Sequence, residues 1–336
     1  MQVQATLPAR LYVGEAHFAI EKETLLAKSW RLAAHQSMLV RAGDYVADLV
    51  AGRPIVIVRD EAGGLNAFHN VCRHRAGPLV TDEAGRCERE FVCAYHGWRY
   101  ALDGRLRGAT DFGAADGFDS RAFGLFPLKL ETWRGFVFVN CDLSAPPLAE
   151  AIAPLEAIWA ERNFALQPFA LRRRHDIACN WKTYVENYLE GYHVPRVHPA
   201  LNAEIEAGAY RVEMRGPIAI HHAPSKAPGG VYDGLWAWMW PDLGVNVYRH
   251  GVMMERITPL SAGMTRLDYL YFYDPARRED LEATLAMSDA VTAEDKDICE
   301  RVQANLNAGV YEQGVLSPKH EGAVAWFQAR IAEAHA

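Results

Sequence analysis

Residues 180–198 read NWKTYVENYLEGYHVPRVH, from Asn180 to His198. The first part has helical texture. Neither Gly nor Pro occurs before Gly191, and Trp181, Val185, Tyr188 and Tyr192 recur at helical spacing. Glu186, Glu190 and His193 fall at i, i+4 and i+7, which predicts one helix face carrying two carboxylates and an imidazole. Pro195 ends or kinks that helix. His198 lies about 140° from His193 around an undistorted helix, so a break at Pro195 is what lets both rings point at one ion. Two histidines at a helix end are by themselves ordinary polar residues. Two acids on the same face change that reading, because buried carboxylates are costly unless paired or metal-bound. Two neutral imidazoles and a carboxylate form the facial triad that holds non-haem Fe(II). Spacing alone leaves Zn(II) open.

Working outward, the chain has 336 residues, half of them apolar, enough for two domains or one large one. The net charge is −7, and no basic run exceeds Arg172–Arg174, which argues against nucleic acid or an anionic membrane as partner. The opening MQVQATLPAR lacks a signal-type apolar core, and no apolar run reaches membrane-spanning length. The expectation is a soluble cytoplasmic protein. There Cys72, Cys87, Cys93, Cys141, Cys179 and Cys299 would stay reduced, and those with a role would be metal ligands.

Upstream, Phe18, Leu25, Leu26 and Trp30 can share a face, predicting a helix over about Gly14–Ser29. From Leu32 short apolar runs alternate with turns (Tyr45–Leu49, Pro54–Arg59, Leu65–Asn70), the texture of an all-β unit. Then come Cys72-Arg73-His74 and Cys93-Ala94-Tyr95-His96, each a tight loop offering one thiolate and one imidazole. Four such ligands suit structural Zn(II) or a [2Fe-2S] cluster with two Cys on one iron and two His on the other. A single spacer between Cys and His is unusual for zinc.

CRHRAGPL and CAYHGWRY resemble the two cluster loops of Rieske proteins. With NWKTYVENYLEGYHVPRVH they are similar to the α subunit of Rieske non-haem iron oxygenases. The likeness runs over nearly the whole chain, including LKLETWRGFVFVN (Leu128–Asn140) as the last strands of the Rieske unit. Ala76-Gly77 is a departure, since many relatives have Gly directly after the arginine. The resemblance implies an α+β chain: a helical segment over 1–36, an all-β Rieske domain over 37–145, and a helix-grip catalytic domain with an antiparallel sheet over 146–336. It implies a [2Fe-2S] cluster on Cys72, His74, Cys93 and His96, and mononuclear Fe(II) on His193, His198 and an acid. Asp289, Asp295 and Asp297 are candidates for the acid. Glu294-Asp295 followed by Glu300 matches the family pattern and selects Asp295, with Asp297 nearly as good on spacing.

Further implications concern function. O2 is the co-substrate. No GxGxxG opens a helix after a strand, so NAD(P)H acts only through a separate flavin- or ferredoxin-type reductase. Members assemble head to tail, here as a homotrimer, and an acid three positions before the first iron histidine links one subunit's cluster to its neighbour's iron. That acid is Glu190. Aromatic-ring dioxygenases typically have Asp there, whereas Glu190-Gly191-Tyr192-His193 resembles the quaternary-ammonium branch, as do VCAYHGW, LETWRGFVFVN and NWK. The expected substrate is therefore a small ammonium compound of choline, betaine or carnitine type. The runner-up is an aromatic acid or phenol, and a zinc-stabilised binding module is the non-enzymatic alternative. Trp236, Trp238 and Trp240 alternate along one strand, and Tyr269, Tyr271 and Tyr273 along another. Such stripes are more often core than cofactor box. Trp236, Trp238, Trp240, Tyr248 and Tyr271 nevertheless supply material for a cation cage, and Arg249 or Arg256 could hold a substrate carboxylate.

Overall fold

The computed structural model describes residues 4–114, 116–162, 166–227, 231 and 235–336. The chain gathers into two compact units, Leu26–Ala149 on one hand and Met1–Leu25 with Glu150–Ala336 on the other. The division falls before the sequence-based boundary at residue 36. Arg31–His35 is a strand paired with Phe136–Asn140, so this stretch belongs to the all-β unit. The helix expected over Gly14–Ser29 accordingly spans only Glu15–Thr24, with a 3-10 turn at Leu26–Lys28.

The Leu26–Ala149 unit consists of three small antiparallel sheets. Asp44–Val50, Arg53–Arg59, Leu65–His69 and Ala84–Arg86 form the largest. Glu90–Val92, Arg99–Ala101 and Leu106–Gly108 form another. Lys129–Trp133 and Phe136–Asn140 are joined by a two-residue turn. Arg134 and Gly135 both have positive φ there, the conformation that suits a tight hairpin. Cys72 and Cys93 sit inside the core of this unit, among Val56, Phe68, Phe91, Trp98 and Tyr100.

The other unit carries one seven-stranded antiparallel sheet. Its strands are β1 (Phe169–Ile177), β2 (Arg211–Arg215), β3 (Ile218–His222), β4 (Leu235–Met239), β5 (Leu243–Tyr248), β6 (Gly251–Ser261) and β7 (Met264–Tyr273), in spatial order β1-β7-β6-β5-β4-β3-β2. The helices that position the site are α1 (Glu15–Thr24), α2 (Trp181–Tyr188), α3 (Val194–Val197), α4 (Arg278–Asn307) and α5 (Gly322–Ala334). The helical periodicity of Asp280–Met287 and that of Ala293–Leu306 merge into the single helix α4, because neither Gly nor Pro interrupts the span between them. Its buried residues (Thr284, Ser288, Thr292, Asp295, Cys299, Gln303 and Leu306 among them) step by three or four, a single stripe.

That stripe explains the tyrosine alternation on β7. Tyr273 pairs with Thr284 at 3.2 Å, Tyr271 donates to Ser288 at 2.8 Å, and Tyr269 pairs with Thr292 at 3.0 Å. Two strand residues advance about 6.8 Å and four helix residues about 6.0 Å, so the phenols and hydroxyls stay in step. The tyrosines thus dock the helix that carries Asp295. Tyr271, expected as cage material, belongs to this ladder instead.

Candidate metal centre and substrate cavity

α2 starts at Asn180, whose side chain accepts the Lys182 N–H at 3.0 Å and caps the helix. Lys182 is wholly buried and pairs with Glu21 of α1 at 2.6 Å, and the Trp181 indole donates to the same carboxylate at 2.8 Å. The helix then stops at Tyr188, earlier than the sequence pattern suggested, so Glu186 and Glu190 do not share a face with His193. At Gly191 the Tyr210 ring lies where a Cβ would be, 2.3 Å away, so only glycine fits the bend. Glu186 turns instead to Tyr12 and Gln328, which donate to it at 2.6 and 3.1 Å, and burial pushes its carboxyl up to about 7. Pro195 does not end a helix. It sits in the first turn of α3, a position that tolerates its missing N–H.

His193 and His198 flank this one-turn helix, and both rings come round to the same point. Their Nε2 atoms are 3.1 Å apart. Asp295 Oδ1, from α4, lies 3.0 Å from His198 Nε2 and 3.8 Å from His193 Nε2. Asn187 donates to that oxygen at 2.6 Å. On the outer side, His193 Nδ1 meets Glu190 at 2.5 Å and His198 Nδ1 meets Glu294 at 2.7 Å. An ionised carboxylate only accepts, so each Nδ1 carries a proton, and in the neutral ring each Nε2 presents a lone pair. Two lone pairs and a carboxylate facing one another at these distances repel unless a cation lies among them. The three residues could therefore hold one metal ion, their ligand atoms lying within 4.8 Å of one another. The other acids are engaged elsewhere. Asp297 pairs with Arg301 at 2.8 Å on the exposed side, Asp289 lies 3.9 Å from Arg173 and His175, and Glu300 accepts the Ala178 N–H.

Next to the triad lies a cavity of about 100 Å³. His221, Trp236, Asn246 and Met253 are direct neighbours across β3, β4, β5 and β6, and all line it. Tyr184, Tyr188, Tyr210, Tyr248 and Tyr269 add aromatic faces, and Glu190, Glu255 and Asp295 add carboxylates. The expected three-indole face divides. Trp236 lines the cavity, whereas Trp238 and Trp240 pack on Trp326 and Phe327 of α5. Neither expected arginine lines it. Arg256 is buried opposite Asp268 in the β6–β7 ladder, and Arg249 is exposed.

In the other unit, each cysteine loop closes on itself. Ala76 donates to Cys72 O and Gly97 to Cys93 O, at 3.0 and 2.9 Å. His74 stacks on Trp98 and meets the His96 ring at 4.5 Å between centroids. Ala76 holds φ at +57°, a conformation that favours glycine, which accounts for the glycine usual at this position.

A family described as the catalytic domain of ring hydroxylating α subunits matches residues 169–336, and the Rieske [2Fe-2S] domain matches residues 29–119. The chain is a Rieske non-haem iron oxygenase α subunit. The oxygenase is 32% identical to the carnitine monooxygenase oxygenase subunit of Escherichia coli K12, over 94% of this chain and 88% of that one. It is 30% identical to the chloroplastic choline monooxygenase of Beta vulgaris, over 92% and 72%. A solved quaternary ammonium Rieske monooxygenase in complex with L-carnitine is similar at a TM-score of 0.85 and 28% identity, covering 99% of this chain and 96% of that chain.

An oxygenase of this family carries a Rieske cluster and a mononuclear iron, takes O2 as co-substrate and receives electrons from a partner. The residues present fit both groups. Besides the repulsive triad, His74 Nδ1 is buried with no hydrogen-bond partner among the described residues, as a ring nitrogen aimed at a metal would be. A Cβ on Gly77 would stand 3.0 Å from Cys93 Sγ, so the glycine leaves that sulfur accessible. No helix among the described residues is long and apolar enough to cross a membrane. Sequence reading missed Asn187, Tyr184, His221 and Glu255. Tyr184 and Asn187 both lie in the quoted stretch and were open to notice. His221 and Glu255 carry no local signal, since only sheet register brings them to the cavity.

Proposed function

We propose that this oxygenase oxidises a C–H bond beside the nitrogen of a small quaternary ammonium compound, by hydroxylation or N-dealkylation. The carrying observation is the charge of the cavity. Aromatic faces and carboxylates line it, and no lysine or arginine does among the described residues. A quaternary nitrogen has no N–H to donate, so rings must hold it, each cation–π contact contributing about 0.5–2 kcal/mol. An aromatic acid needs a cation for its carboxylate, and Arg249 and Arg256 lie elsewhere. The relatives named for carnitine and choline support the same reading.

In this reading Cys72, His74, Cys93 and His96 hold the [2Fe-2S] cluster, and His193, His198 and Asp295 hold the mononuclear iron. When bound, these groups supply electron relay and O2 activation. Glu190 and Glu294 keep the outer protons of His193 and His198 and fix both rings. Asn187 orients Asp295. Glu190 also borders two further clefts, of about 910 and 760 Å³, besides the cavity. This reach supports its role as the link to a neighbouring subunit's cluster in a cytoplasmic homotrimer, served by a flavin- or ferredoxin-type reductase. The test compares choline, glycine betaine, carnitine and stachydrine with benzoate, salicylate and phthalate in coupled O2 consumption. Product from an ammonium compound is expected. Product from an aromatic acid alone would overturn the substrate class and leave the oxygenase assignment standing.

A further inference from the structure

Glu255 is a buried carboxylate that the metal triad does not use. It projects from β6 into the cavity wall and is only 3% exposed. Its partners are neutral. Tyr184 donates to it at 2.6 Å, and Asn246 Nδ2 lies 3.5 Å from its other oxygen. The Tyr269 hydroxyl also hydrogen-bonds it, no lysine, arginine or histidine pairs with it among the described residues, and the like-charged Asp295 acts on it. Burial pushes its carboxyl up to about 7. A structural hydrogen-bond acceptor at this position would be less costly as glutamine, since an unpaired buried carboxylate opposes its own ionisation.

Aromatic rings line the cavity with the carboxylate, those of Tyr184, Tyr188 and Tyr269 among them. Gly244 stands directly opposite Glu255 in the β5–β6 ladder. A Cβ there would come within 3.2 Å of the Glu255 Cβ and 3.1 Å of the Tyr188 hydroxyl, so the glycine lets the Tyr188 ring pack beside Glu255. A second polar group of the sheet wall, His221, is neutral. His221 Nδ1 is engaged by Tyr210 at 2.7 Å, while its buried Nε2 has no partner among the described residues. Burial and the adjacent His222 pull the His221 pKa down to about 3. That nitrogen offers a hydrogen bond without a charge, as an alcohol would use.

Resting on the ammonium reading above, we infer that Glu255 is the fixed counter-charge for the substrate's cationic head, and that the substrate is a cation with an uncharged polar end in place of an acid group. Calorimetric titration of the holoenzyme at pH 8, without reductant, tests this with three probes. Choline has the cationic head and an alcohol, 3,3-dimethylbutan-1-ol is its uncharged carbon isostere, and glycine betaine has the same head with a carboxylate. Wild-type protein should bind choline at least about tenfold more tightly than the isostere or betaine, a factor worth about 1.4 kcal/mol. Glu255→Gln should reduce the choline margin over the isostere to under about twofold with the cluster's visible spectrum unchanged, and Glu255→Asp should keep most of it. Choline binding no tighter than the isostere in the wild type, including no binding of either, overturns the inference, as does a margin that survives Glu255→Gln. Betaine binding as tightly as choline overturns the exclusion of an acid group. If Glu255→Gln does not fold, the wild-type and Glu255→Asp comparisons decide. An ammonium compound that is turned over without regard to Glu255 sinks this inference alone, whereas turnover of aromatic acids alone sinks the ammonium reading with it.

Discussion

The cysteine–histidine loops and the His193–His198–Asp295 triad are built in opposite ways. The cysteine–histidine pairs lie between Cys72 and His96, on two loops that close through their own backbone hydrogen bonds inside one small β core. The triad takes two residues from the ends of a one-turn helix and its third from α4, far along the chain. The first geometry is a property of local sequence. The second exists only after α2 has docked on α1, and α4 has locked its hydroxyls against the β7 tyrosines. The difference teaches where each site is vulnerable, through the ligands and loop conformation in the first case and through distant packing in the second.

Three substitutions sharpen or break that contrast. Glu190→Gln keeps the shape at His193 but removes the charge that holds its ring proton. Turnover should fall roughly 10–100-fold, the usual cost of losing such a partner to a metal ligand, while the cluster's visible spectrum and its reduction by the reductase are unchanged. Wild-type single-turnover rates would show that Glu190 is dispensable. Next, Lys182→Met leaves the buried Glu21 with only the Trp181 indole and the His335 ring as partners, a loss of up to about 3–5 kcal/mol. Melting followed by circular dichroism should show an earlier transition, with the cluster absorbance bleaching at its original temperature. If both shift together, the separation of the two sites is weaker than their construction implies. The smallest effect belongs to the loop. At a φ of +57°, Ala76 carries a left-handed penalty of about 1–2 kcal/mol, partly offset because glycine loses more freedom on folding. Ala76→Gly should therefore stabilise the cluster against guanidinium bleaching by about 0.5–1 kcal/mol, with turnover unaltered.

The same contrast explains what could be read from the sequence. The loops CRHRAGPL and CAYHGWRY were legible whole, because spacing, turn residues and ligands all sit within one short stretch. The α+β class and the antiparallel sheet followed from the family resemblance, whereas periodicity alone marked only strand and helix runs. The early end of α2 was not, because it depends on the Tyr210 ring packed against Gly191. Nor were the tyrosines of β7 separable into docking and cavity roles, since alternation fixes a face but not what that face meets. Asp295 and Asp297 lie two apart on one helix. Spacing left them nearly equal, whereas in the fold Asp295 faces the histidines and Asp297 pairs with Arg301 one turn along the helix.

The account rests on two independently built metal sites, and iron and acid-labile sulfide assayed on wild-type, Cys93→Ala, Asp295→Ala and Asp297→Ala proteins test it most directly. The wild type should hold sulfide together with iron beyond that of a [2Fe-2S] cluster. Cys93→Ala should lose the sulfide, the cluster iron and the visible colour. Asp295→Ala should keep the cluster, lose the additional iron and all turnover, and Asp297→Ala should resemble the wild type. Loss of the additional iron from Asp297→Ala, with Asp295→Ala still active, would contradict the account of the triad, and stoichiometric zinc without sulfide in iron-replete wild-type protein would contradict both sites.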